Sequence, residues 1–200
     1  MGSIDKDFQE KTKKESPREL AELLVQYLKT NSCILDLGAG AGVDSFFFVR
    51  NGHKVIAIDR ETSVLEEMIS KNSDTYFENI NVIKDDFYKI KLPSCDVIYA
   101  SYSIPFCKSD EFQDKWKALE EQIEIGTIIA IVFFGKKDDW NALTEKFTFH
   151  STEEVKQMLK NYAILHIDDR EYEGTSLNQN KEIVKKHWNV IDVIAKKYTG

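Results

Sequence analysis

The stretch Ile34-Leu35-Asp36-Leu37-Gly38-Ala39-Gly40-Ala41-Gly42 leaves few folds open to this chain. Four residues, three of them apolar, read as a short buried strand. They run straight into a loop with glycine at every second position, and Val43–Arg50 then has the composition of a helix that stops at Asn51-Gly52. Glycine lets a loop turn tightly and lets backbone approach a ligand closely. The N–H groups at the start of the following helix are exposed donors that face such a ligand. A second strand, His53–Asp59, ends on a carboxylate about 20 residues beyond the first glycine, where it can accept two hydrogen bonds from a ribose diol.

The same alternation continues. Thr62–Lys71 reads as a helix with Val64, Leu65, Met68 and Ile69 turned inward. Ile80–Ile83 and Asp96–Ala100 read as strands, Ser109–Gln122 as a helix, and the apolar run within Gly126–Phe134 as a strand buried on both faces. Strands alternating with helices of this length imply right-handed βαβ units. Ahead of them, Ser16-Pro17-Arg18-Glu19 reads as a helix start with Ser16 as N-cap. Behind them, a helix over Ser151–Asn161, a strand over Ala163–Ile167, a polar loop over Glu173–Lys186 and a strand over Trp188–Lys197 suggest an antiparallel pair at the sheet edge. The expected fold is α/β and Rossmann-like. Its sheet has seven mostly parallel strands, helices on both faces and an antiparallel final strand. Residues 1–15 are expected to be loosely held and residues 16–200 to form one domain.

Any cofactor containing adenosine would suit the glycine loop. Two residues favour S-adenosylmethionine over a dinucleotide. The dinucleotide fingerprint needs glycine at its sixth position, and Val43 stands there. Asp36, two residues before the first glycine, is a poor neighbour for a pyrophosphate and a good one for the cationic end of an amino acid.

The segment from Ile34 to Asp59 resembles the first motif and following strand of class I S-adenosylmethionine-dependent methyltransferases, and within them looks most like the small tellurite-resistance type. The resemblance is specific over residues 33–60 and looser to about residue 135. It implies that Gly38, Ala39 and Gly40 wrap the methionine and ribose, with Asp36 by the methionine end. Asp59 would hold the ribose hydroxyls, with Arg60 beside the adenine. Asp86, or Asp85 in the other register, would bond the adenine amino group, with Phe87 flanking the ring. Ala100 and Ser101 would line the methionine side. The product would be S-adenosylhomocysteine.

Methyl transfer from a sulfonium requires mainly that donor and acceptor be positioned, so no catalytic triad or metal cluster is expected. His53, His150, His166 and His187 are too scattered in sequence for a metal site. Tyr102, just past the fourth strand, and His187, at the start of the last, are the candidates to touch or deprotonate an acceptor. The segment Lys136-Lys137-Asp138-Asp139-Trp140 reads as a solvated turn, with a wall of the acceptor site as the alternative.

A net charge of −7 argues against a broad grip on nucleic acid or anionic membrane. No secretory segment is visible, and the longest apolar run is too short to span a bilayer. Three widely spaced cysteines suit reduced thiols and a cytoplasmic location. The expected reaction is methyl transfer to a small-molecule acceptor. The competing readings are an NAD-type Rossmann oxidoreductase and a non-catalytic S-adenosylmethionine-binding protein.

Overall fold

The computed structural model describes residues 2–72, 74–177 and 182–199. The chain forms two compact units, residues 1–101 and 102–200.

The first unit begins with helix α1 (Gly2–Thr12), which falls within the segment expected to be loosely held. Gln9 is buried and its side-chain amide donates to the Glu61 carbonyl at 2.7 Å, which anchors that helix. Helix α2 (Glu19–Leu24) starts two residues later than the sequence suggests. Arg18, not Ser16, is its N-cap, because the Arg18 N–H is taken by the Asp44 carboxylate at 2.8 Å and the residue is held extended. Strand β1 (Cys33–Leu37), helix α3 (Val43–Arg50), strand β2 (Lys54–Asp59), helix α4 (Ser63–Ser70), strand β3 (Ile80–Lys84) and strand β4 (Val97–Ala100) follow. The strands lie in the order β3-β2-β1-β4 and every pair is parallel. Parallel strands buried on both faces need apolar side chains on both, and Ile34, Leu35, Leu37, Val97, Ile98 and Tyr99 are all buried.

The second unit holds helix α5 (Phe112–Glu120), strand β5 (Ile128–Gly135), strand β6 (Phe149–His150), helix α6 (Thr152–Met158), strand β7 (Tyr162–Leu177) and strand β8 (Ile183–Lys197). Strand β6 is an addition to the seven expected. It is two residues long and pairs parallel with β5. Ser151 caps α6 in a capping box with Glu154, so two otherwise orphaned backbone N–H groups are satisfied. The polar loop expected over Glu173–Lys186 is a correction. Apart from Glu182, which is in neither strand, and residues 178–181, which lie outside the described segments, it is a continuation of β7 and β8, with Gly174 opposite Lys186 and Leu177 opposite Ile183. Strand β8 runs antiparallel to both β5 and β7.

Candidate functional site

The glycine loop, the carboxylates and the strand ends expected to hold a cofactor all belong to the first unit. Parallel pairing sets Asp36 beside Ala57 and Tyr99, so the carboxyl ends of β1, β2 and β4 open on the same side. Gly38 N and Ala39 N donate to the Ile58 carbonyl at 2.7 and 3.2 Å, fixing the loop to the end of β2. Gly38, Gly40 and Gly42 all have positive φ, +77°, +57° and +80°. A Cβ on Gly42 would lie 2.2 Å from the Leu65 side chain, so there glycine is required for packing against α4. A Cβ on Gly40 would meet nothing within 4 Å. Gly40 therefore borders open space, as a loop that cradles a ligand must.

Asp59 sits over that turn. One carboxylate oxygen accepts from Gly40 N and the other from Glu61 N, both at 2.9 Å. The Asp85 N–H donates to the Asp59 carbonyl at 3.0 Å, which carries Asp85 and Asp86 to the neighbouring strand end. Asp86 is half-buried and accepts from Tyr88 N, with Lys89 Nζ 3.4 Å away, whereas Asp85 is exposed. Phe87 is half-buried against Tyr88, and Arg60 is exposed. Ala100 is fully buried and Ser101 half-buried at the end of β4.

Asp36 is only 3% exposed and accepts from Ser45 Oγ at 2.5 Å. Burial, opposed by the Ser45 bond and reinforced by the Asp44 and Asp59 charges, pushes its carboxyl up to about 8. A carboxyl in that state is ready to ionise when a cation arrives. Asp44, the first-turn residue of α3, is held by Arg18 N and by Tyr99 Oη at 2.7 Å, and fastens α2 and α3 to β4.

The second unit separates the two candidates for the acceptor side. His187 Nδ1 and Nε2 lie 2.7 Å from Glu173 and 3.2 Å from Glu171. Those bonds, Glu173 first, raise its pKa and favour the imidazolium, which is the wrong state for a general base. Tyr102 has a left-handed backbone, φ +51°, and its hydroxyl lies 2.8 Å from that of Tyr172. Its ring is edge-on to Trp188. Successive residues of a strand face opposite sides, so Trp188 and His187 point apart and Tyr102 is not brought to His187. Burial keeps the Tyr102 phenol protonated far above neutrality, so it can donate a hydrogen bond but is no base.

Sequence reasoning missed a buried ion pair in this unit. Lys186 is 2% exposed and its ammonium lies 2.6 Å from Asp138, 3.3 Å from the Trp188 ring centroid and 4.3 Å from that of Trp140. Asp138 also accepts from Trp140 N and Asn189 N. The turn after β5, expected to be solvated, is thereby pinned to β8, and this is a correction at Asp138, which is buried. The signal was period two: Lys186, Trp188 and Val190 share a face.

No group of three or more His, Cys, Asp or Glu that could hold a metal occurs among the described residues, and no helix there is long and apolar enough to cross a membrane.

A model of the methyltransferase domain family matches residues 28–192. The chain belongs to that family. TehB from Haemophilus influenzae superposes with a TM-score of 0.72 at 19% identity, covering 95% of this chain and 65% of that one. A Burkholderia thailandensis 1,6-didemethyltoxoflavin-N1-methyltransferase, solved with its acceptor and S-adenosylhomocysteine, gives 0.66 at 14% identity over 91% and 78% of the two chains. The shared fold is the Rossmann-like one, with a mostly parallel sheet and an antiparallel C-terminal strand. A probable ribosomal RNA small subunit methyltransferase A from Methanosphaera stadtmanae is 32% identical over 77 residues, which are 37% of this chain and 27% of that protein. The chain thus matches about a quarter of that relative's length and about two thirds of TehB's. The domain is a methyltransferase domain.

Proposed function

We propose that this protein transfers a methyl group from S-adenosylmethionine to a small molecule. The observation that carries the reading is the left-handed Gly40 turn, open where a side chain would stand and tied by its N–H to Asp59. The donor brings an already activated methyl on a sulfonium, so the protein's work is placement. Gly38, Ala39 and Gly40 line the methionine and ribose, and Asp36 faces the amino-acid end. Asp59 accepts from the ribose hydroxyls. Asp86 and Phe87 hold the adenine with Arg60 beside it, and Ala100 and Ser101 close the methionine side. A small acceptor is favoured over nucleic acid by the net charge of −7, which gives phosphates no broad basic surface. The ribosomal RNA relative supports the opposite reading over only 37% of the chain. Three free thiols suit the reducing cytoplasm.

Replacing Asp59 by Ala should weaken S-adenosylmethionine binding by at least about tenfold, or about 1.4 kcal/mol, with the melting curve still cooperative. Titration calorimetry giving wild-type affinity would remove Asp59 from the site. Asp36 gives a second test. Held near 8, it is mostly protonated at neutral pH, and the cofactor's ammonium favours the carboxylate. Binding at pH 7 should therefore release close to one proton, measured by calorimetry in buffers of differing ionisation enthalpy. Asp36→Asn should abolish that release, and an unchanged release in the variant would assign the proton elsewhere.

A further inference from the structure

We propose that the face of the β7–β8 hairpin carrying Asp192, Arg170, Tyr172 and Trp188, with Tyr102 packed against it, binds the methyl acceptor and selects a planar ring bearing an O–H or N–H donor. This deepens, and rests on, the reading of the protein as a small-molecule methyltransferase.

Asp192 supplies the first observation. It lies in the middle of β8 with Val132 of β5 on one side and Asp168 of β7 on the other, and is 5% exposed. One carboxylate oxygen accepts from Arg170 Nε at 2.8 Å. The other, Oδ1, is buried and has no hydrogen-bond partner among the described residues. A buried acceptor left unmatched costs about 1–3 kcal/mol, and more when charged. Such a cost persists where a ligand donor repays it. Asp168 lies directly opposite, with Arg170 and His166 as the positive groups nearby, and an open carboxyl oxygen is matched by a donor and not by another acceptor.

The neighbouring side chains supply the shape. Residues opposite one another in an antiparallel pair share a face, and Tyr172 lies opposite Trp188 while Arg170 is opposite Val190. The Tyr172 and Trp188 rings are nearly parallel, 12° apart in plane, and the Tyr102 ring stands edge-on to Trp188 at 87°. All three residues are half-buried. Flat π faces of this kind favour stacking with another flat ring. Gly174, opposite Lys186, has no Cβ, and one built there would lie 3.0 Å from the Trp188 ring. Tyr102 keeps a left-handed φ that a bulky residue adopts rarely, and strain of this kind concentrates at binding sites. What it secures is the hydroxyl pair with Tyr172, a polar edge beside the aromatic faces. A cationic ligand is disfavoured, because the Lys186 ammonium already lies against the Trp188 ring.

Two probes of one ring system test the assignment: 7-hydroxycoumarin, which has the donor, and 7-methoxycoumarin, which lacks it. Each is titrated by tryptophan fluorescence at slightly acidic pH into protein saturated with S-adenosylhomocysteine, whose own binding is measured by calorimetry. The hydroxyl probe should bind at least about fivefold tighter than the methoxy probe. Asp192→Asn and Tyr172→Phe should each bring the ratio to within about twofold while S-adenosylhomocysteine binds as in wild type. Tyr172→Phe keeps its ring at a half-exposed position, so it reports even if Asp192→Asn unfolds. Absence of hydroxycoumarin binding, or a ratio that both variants preserve, overturns the proposal and leaves the methyltransferase reading standing. Failure of the wild type to bind S-adenosylhomocysteine overturns that reading, and this proposal with it.

Discussion

Gly40→Val should lower affinity for S-adenosylmethionine by more than about a hundredfold, or about 2.7 kcal/mol, while the protein still melts cooperatively. Two facts about one residue separate these effects. A Cβ at Gly40 would touch no protein atom within 4 Å, so the fold has nothing to clash with. The space it enters is the space that the proposed function gives to the ligand. The backbone cost remains, since φ is +57° and a left-handed conformation costs an L-residue about 1–2 kcal/mol. Gly42→Ala is the contrasting case. Its Cβ would fall 2.2 Å from Leu65 Cδ1, so the damage there is to the packing of α4. Calorimetry with S-adenosylhomocysteine alongside thermal melting distinguishes the two. A Gly40→Val protein that binds normally would show that the loop is not the cofactor site.

Asp138→Ala should be the most destabilising single change in the second unit. It leaves the Lys186 ammonium buried among aromatic rings without its carboxylate, and also removes the acceptor for Trp140 N and Asn189 N. Breaking a buried pair on one side costs about 3–5 kcal/mol, because an uncompensated charge is left behind. For a chain of this size that is a fall of roughly 6–20 °C in Tm. Combining Asp138→Asn with Lys186→Met should recover at least half the loss, since the amide oxygen still accepts from Trp140 N and the thioether chain fills the lysine's volume. A single variant that melts within a degree or two of wild type would mean that the pair holds nothing together.

These expectations differ in how far they could be read beforehand. Strand β1 and helix α3 were legible to the residue because Asp36–Gly42 constrains both sides of the turn at once. The apolar run of β5 was legible because a strand buried on both faces has no need of polar residues. The start of α2 was not. Ser16-Pro17 is a sound local signal, yet Asp44, 26 residues away, claims the Arg18 N–H and decides the boundary. The far half of the β7–β8 hairpin was read as loop because most of its residues are polar. Alternation was itself the strand signal, with Glu171 and Glu173 outward and Tyr172 and Gly174 on the other face. Lys186 shows why composition misled: a lysine in a charged stretch looks solvated until a carboxylate from a different strand end is known to meet it. At the cofactor loop, residue identity and spacing were enough to nominate the residues. For the proposed acceptor face they were not: the antiparallel pair was expected, but Arg170 meets Asp192 and Tyr172 meets Trp188 through a register and a strand length longer than the expected one.

Strand β8 is stapled unevenly. From Val190 to Lys196 it has a ladder on each edge, to β5 and to β7, whereas the ladder to β5 ends at Val190 and the stretch from Ile183 onward pairs with β7. Amide deuterium uptake along this one strand should therefore run as a gradient, slow at Ile191 and Val193 and fast toward Val184. The chain can thus breathe at one end of the hairpin without loosening the other, and the Asp138–Lys186 pair marks the place along the strand where that freedom is checked.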